Sequence, residues 1–117
     1  MSLRFTATIV DPVTQKREDL ISVGAGPEIY ASQLYEHSVL REIGLKLLPE
    51  MAQERPNLEY SGADLGLLDA ELVVLCEMAH IVSQQTGIDA DNIKERATAM
   101  REVVNEAQRM GGSVDLW

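Results

Sequence analysis

The chain has 117 residues, with ten basic against nineteen acidic side chains, a formal net charge of −9, 45% hydrophobic and 25% charged residues. That length fits a single domain, 1–117, able to bury roughly two thirds of its unfolded surface without a metal or disulfide staple, and the composition is that of a globular chain, not a disordered or fibrous one. A surface of this sign repels phosphate backbones and anionic lipid, which excludes nucleic acid and the membrane surface as expected partners.

The charge is unevenly spread. No Lys or Arg occurs between Arg55 and Lys94, whereas Glu59, Asp64, Asp69, Glu71 and Glu77 fall inside that interval. These carboxylates read either as solubilising charge or as an acidic face for a basic partner. Cys76 is the single cysteine, which excludes an internal disulfide and suits a reducing compartment. Thr6, Thr8 and Asp11 interrupt the N-terminal apolar residues, and Asp69, Glu71, Glu77 and His80 interrupt the most apolar window, so neither a signal segment nor a spanning helix is expected. The expected location is cytoplasmic.

Leu3, Phe5, Ala7 and Ile9 alternate with Arg4, Thr6 and Thr8, the period of a strand with one buried face. Asp11-Pro12 breaks the pattern, and Leu20 to Val23 forms a second short strand, giving an antiparallel hairpin that needs helices or further strands to be stable. Gly24-Ala25-Gly26-Pro27 then ends the sheet. A glycine-rich turn can cradle phosphate, but no third glycine and no Lys-Ser/Thr pair follow, so a plain turn is expected.

A helix is expected from about Ala31 to Leu48, its ridges formed by Leu40, Ile43 and Leu47 and by Leu34, Leu45 and Leu48, with His37 as a half-buried, hydrogen-bonded side chain between them. Pro49 redirects the chain into a short helix, Pro49 to Glu54, closed by Arg55-Pro56-Asn57. Ser61 and Asp64 stand as the cap and first turn of a long central helix over 63–86 that stops at Gly87. Asp89 opens the last helix, whose stripe of Ile93, Ala97, Met100, Val104 and Ala107 packs on another helix before Gly111-Gly112 ends it. Ser113 to Trp117 remain as a tail, with Trp117 either folded back over apolar surface or inserted into a partner.

On a wheel of about 100° per residue, Asp69, Glu77, His80 and Gln84 share one arc of the central helix, and Glu71 alone falls among apolar residues. A carboxylate there needs a partner. Three readings follow: an internal ion pair with Arg41 or Arg101, an interface that another chain covers, or a catalytic acid or base. Glu77-Met78-Ala79-His80 has the Glu-x-x-His spacing of di-iron bundles, but no second copy exists in the chain, so only a symmetric dimer would complete such a site. Cys76 and His80 lack the other two ligands of a closed zinc site and do not face one another as a nucleophile and base. No cofactor or metal is expected.

These elements predict an α+β, mostly helical fold: an N-terminal antiparallel hairpin on a bundle of three main helices and one short helix. The expected function is that of a small acidic, non-enzymatic interaction protein, homodimeric, binding a protein partner, of basic character, through Asp69, Glu71, Glu77 and Trp117. The alternative is a metal-dependent or acid-base enzyme built around Glu71, Glu77 and His80, completed across a dimer. Small size and acidity are shared with secretion chaperones and with immunity proteins that neutralise basic toxins, a likeness of composition that carries no motif.

Overall fold

The computed structural model describes residues 2–117. It has two layers. A four-stranded antiparallel sheet of order β2-β1-β4-β3 is built from β1 (Ser2–Val10), β2 (Arg17–Pro27), β3 (Glu59–Ser61) and β4 (Ser113–Leu116). Five helices accompany it: α1 (Ser38–Glu42), α2 (Leu47–Glu54), α3 (Ala63–Glu77), α4 (Ala79–Thr86) and α5 (Ala90–Met110). The α+β class and the N-terminal hairpin are as expected. No described helix is long and apolar enough to cross a membrane.

The sheet is larger than the hairpin that local patterning shows. Leu3, Phe5 and Ala7 do point inward and are fully buried. The second strand, however, runs on through Gly24 to Pro27 instead of ending there, because register shifts at Leu3/Arg4 and Ala7/Thr8 let it keep pairing with β1. The carbonyls of Gly24 and Ala25 accept from Arg96 and from the Tyr35 hydroxyl, so this segment is strand and not an open phosphate-binding turn. The expected tail is β4, which inserts between β1 and β3 through Phe5↔Leu116, Ala7↔Val114 and Tyr60↔Val114. Val114 and Leu116 thereby join Phe5 and Ala7 on the inner face, and α5 lies across it.

The helices are more segmented than apolar spacing suggests. In place of one helix over 31–48, the chain makes a π-helical turn at Ala31–Tyr35, then α1, then α2. His37 causes the first break: it is extended (ψ 139°) and its Nδ1 accepts from the Val39 N–H at 3.1 Å, capping α1. Gly44, at φ 97°, causes the second. Pro49 sits within the first turn of α2, which begins at Leu47 rather than Pro49. Ser61 belongs to β3, so the N-cap of α3 is Gly62, without a side-chain cap. The central helix is also interrupted: Met78 (φ −97°, ψ 13°) leaves helical geometry, and Ala79 and Val82 stay buried as α4 packs on α1 and α5.

The last helix matches its sequence. Asp89 caps it, accepting from Asp91 N–H at 2.8 Å and Asn92 N–H at 3.2 Å, and Gly111 closes it in the left-handed conformation. Ile93, Ala97, Met100, Val104 and Ala107 are fully buried between α3 and the sheet.

Gly112, between α5 and β4, lies against the backbone of β1, since a Cβ there would sit 2.2 Å from the Thr8 carbonyl oxygen. That oxygen belongs to the backbone and cannot rotate away. Gly112→Ala is expected to destabilise the fold by about 1–3 kcal/mol, whereas Gly66→Ala, whose Cβ meets nothing nearer than 3.7 Å, adds about 0.5–1 kcal/mol. Urea denaturation with unchanged m-values checks both.

Candidate functional site

Glu71 is held by backbone, not by a cation. Its Oε2 accepts from the N–H groups of Lys46 (3.1 Å) and Leu47 (2.9 Å), and its Oε1 from Leu48 N–H (3.0 Å). These are donors at the start of α2, which has no side-chain cap of its own. A helix start leaves unpaired N–H groups and partial positive charge, and a carboxylate answers both. The expected ion pair with Arg41 or Arg101 is therefore not formed: Arg41 donates to Gln53 (3.1 Å), and Arg101 grips Asp69 (2.9 and 3.3 Å). One signal in the sequence pointed here. Lys46-Leu47-Leu48-Pro49 starts a helix with no Ser, Thr, Asp or Asn before it, so its cap must come from elsewhere in the chain.

The other candidate residues are dispersed. Asp69 faces α5, where Arg101 holds it, while Glu77 and His80 are exposed. Glu71 lies on the α2 side, so it, Glu77 and His80 do not share one cleft. Among the described residues no group of three His, Cys, Asp or Glu side chains is placed to hold a metal ion. Trp117 is on the far face of the sheet.

What α3 and α4 do bring together is apolar and exposed. Leu65, Leu68, Leu72 and Leu75 supply the core, yet the neighbouring arc is apolar too. Leu67 (58% exposed), Ala70, Val74, Met78 and Ile81 (44% exposed) form a stripe on the outer side at spacings of three and four. Beside its first half lies an open groove of about 490 Å³ between residues 44–47 and α3, bordered by Lys46, Asp64 and Glu71. Tyr60, whose hydroxyl donates to the Leu47 carbonyl, reports the local field. Its pKa is pushed up to about 12, by burial first and then by Glu50, Glu71 and Asp64.

The outer face of the sheet is polar. Trp117 Nε1 donates to Thr6 Oγ1 at 3.1 Å, Thr6 and Ser22 hydroxyls meet at 2.8 Å, and Arg17 spans to Glu59 at 2.7 Å. Asp115 lies between them with one buried oxygen that has no hydrogen-bond partner. Burial raises its pKa, Arg17 opposes this, and Glu59 and Asp19 add to it.

Two measurements follow. Glu71→Gln keeps one acceptor and turns an amide donor towards N–H groups, so it is expected to cost about 1–3 kcal/mol, with faster hydrogen exchange at the Lys46, Leu47 and Leu48 amides; Glu71→Leu should cost at least as much. For Asp115, an acid whose folded pKa is raised contributes stability below its unfolded value, ordinarily 3.8, and loses it as pH rises through the folded value. Asp115→Asn should therefore gain on the parent protein as pH rises from 3.8 through the folded value and hold that gain above it, in denaturation curves taken at stepped pH.

Comparison with known proteins supplies no relative to set beside this geometry: no family model, no curated protein and no solved structure matches the chain.

Proposed function

We propose that the chain is a non-enzymatic interaction protein that docks a basic protein partner on the exposed apolar stripe of α3 and α4. The observation that carries this is the surplus of apolar circumference on α3 and α4: core needs are met by Leu65, Leu68, Leu72 and Leu75 of α3 and Ala79 and Val82 of α4, and Leu67 and Ile81 nevertheless stand in solvent. Isolated exposed apolar residues are ordinary, whereas a contiguous stripe with a polar rim marks a binding surface. Asp64, Glu71 and Glu77 along the same helix, with no Lys or Arg between residues 55 and 94, favour a partner of opposite charge. The enzymatic alternative draws less support, because both oxygens of Glu71 are committed to backbone donors and Glu77 and His80 lie elsewhere on the helices.

Leu67→Gln is expected to leave stability within about 0.5 kcal/mol, as surface changes do, yet to weaken binding of a lysine-rich amphipathic peptide by about tenfold or more. Titration followed by amide shifts at Leu67, Val74 and Ile81 checks this. A glutamate-rich peptide with the same apolar positions that bound equally well would reject the basic partner.

A further inference from the structure

The groove beside the stripe is open because two positions carry almost no bulk. Gly44 adopts φ 97°, which strains any residue with a Cβ, and nothing lies within 4 Å of where that Cβ would be. Ala70 is the exposed small residue on the α3 side. Leu45, Leu47, Leu67 and Val74 complete an apolar lining. At about 490 Å³ the groove lies in the lower part of the range of ligand pockets, and its apolar walls suit a large side chain better than a charged metabolite. It opens onto a stripe that runs along α3 and past the break at Met78 to Ile81 on α4. A second helix lying alongside presents side chains with the same period.

The rim decides which helix. Asp64 and Glu71 border the groove and Glu77 lies further along, with Lys46 the single base in the lining. A second copy of the chain brings a face of the same sign, since Asp64, Glu71 and Glu77 recur on it, and like charge selects against self-pairing. A cationic helix meets the opposite sign at Asp64 and Glu77.

We infer that the groove receives a large apolar side chain from a lysine- or arginine-rich amphipathic helix that lies along α3 and α4, an inference that rests on the docking function proposed above. The side chain enters between Gly44 and Ala70, and the flanking cations meet Asp64 and Glu77.

The test uses a lysine-rich amphipathic peptide with one tryptophan at the centre of its apolar face, and a copy with alanine there, titrated by calorimetry against the parent protein, Ala70→Leu and Ile81→Gln. Leucine suits an exposed helical position, and circular dichroism with urea denaturation confirms that each variant folds. On the parent, the alanine peptide should bind about tenfold more weakly; Ala70→Leu should weaken the tryptophan peptide to a similar extent and leave the alanine peptide unchanged, the non-additivity of a shared contact. Ile81→Gln should weaken both. If Ala70→Leu leaves the tryptophan peptide's affinity intact while Ile81→Gln reduces it, the groove is not the receptor although the stripe still docks. If neither peptide binds, or a glutamate-rich copy binds as well, the docking function falls and the groove with it. Sedimentation of a dimer that Leu67→Gln dissociates would make a second copy the occupant and overturn the cationic helix.

Discussion

A single carboxylate ties the helical layer together. By accepting from three consecutive N–H groups, Glu71 fixes the start of α2 against the middle of α3. Hydrogen bonds to an ionised acceptor are stronger than neutral ones, and here they also neutralise the positive end of a helix. Much else depends on that clamp. With α2 in place, Leu48, Met51 and Ala52 enter the core and the Leu47 carbonyl receives the Tyr60 hydroxyl. The groove between residues 44–47 and α3 exists because the same contact sets how far apart its two walls stand.

The second constraint is the composition of α3. Four leucines at helical spacing are enough to seal it onto α5 and α2, and Asp69 is secured to Arg101 on the α5 side. Leu67 and Ile81, by contrast, stand in solvent, and Val74 between them is only partly buried against that core. Solvent exposure of Leu67 and Ile81 costs solubility, which the carboxylates on the same helices offset. Retaining both on one surface is what a docking face requires and what a purely structural helix does not.

Much of the fold was legible locally. Alternation along β1, the Asp89 cap, the stripe of α5 and the glycines that close α4 and α5 are all encoded within a few residues of where they act. The segment from Ala31 to Leu48 was not, because its apolar ridges satisfy a continuous helix as well as the broken path observed. What breaks it is a histidine ring turned on its own backbone and Gly44 at φ 97°, and a carboxylate more than twenty positions away then caps the helix that follows. Likewise Ser113 to Leu116 is too short to announce a strand; it becomes one because β1 and Tyr60 offer it partners. At the candidate site the sequence marked Glu71 as a carboxylate in need of a partner and expected a cation, since backbone donors leave no charge pattern. It also could not say which of two adjacent apolar arcs on α3 is core and which is surface. That depends on where α2 and α5 come to rest.

The placement of β4 governs how the molecule can be assembled. Thr8 and Ser113, whose hydroxyls meet across β1 and β4, are 105 positions apart along the chain. Bringing such distant segments together demands loop closure before any pairing energy is returned, and folding slows as contacts become less local. The hairpin can form early from neighbouring residues, and α3 with α5 can collapse over a shorter loop, but β1 and β3 acquire their common neighbour only when residues 113–116 arrive between them. Without β4 the inner edge of β1 is bare; with it, only β2 and β3 are left as edges of the sheet.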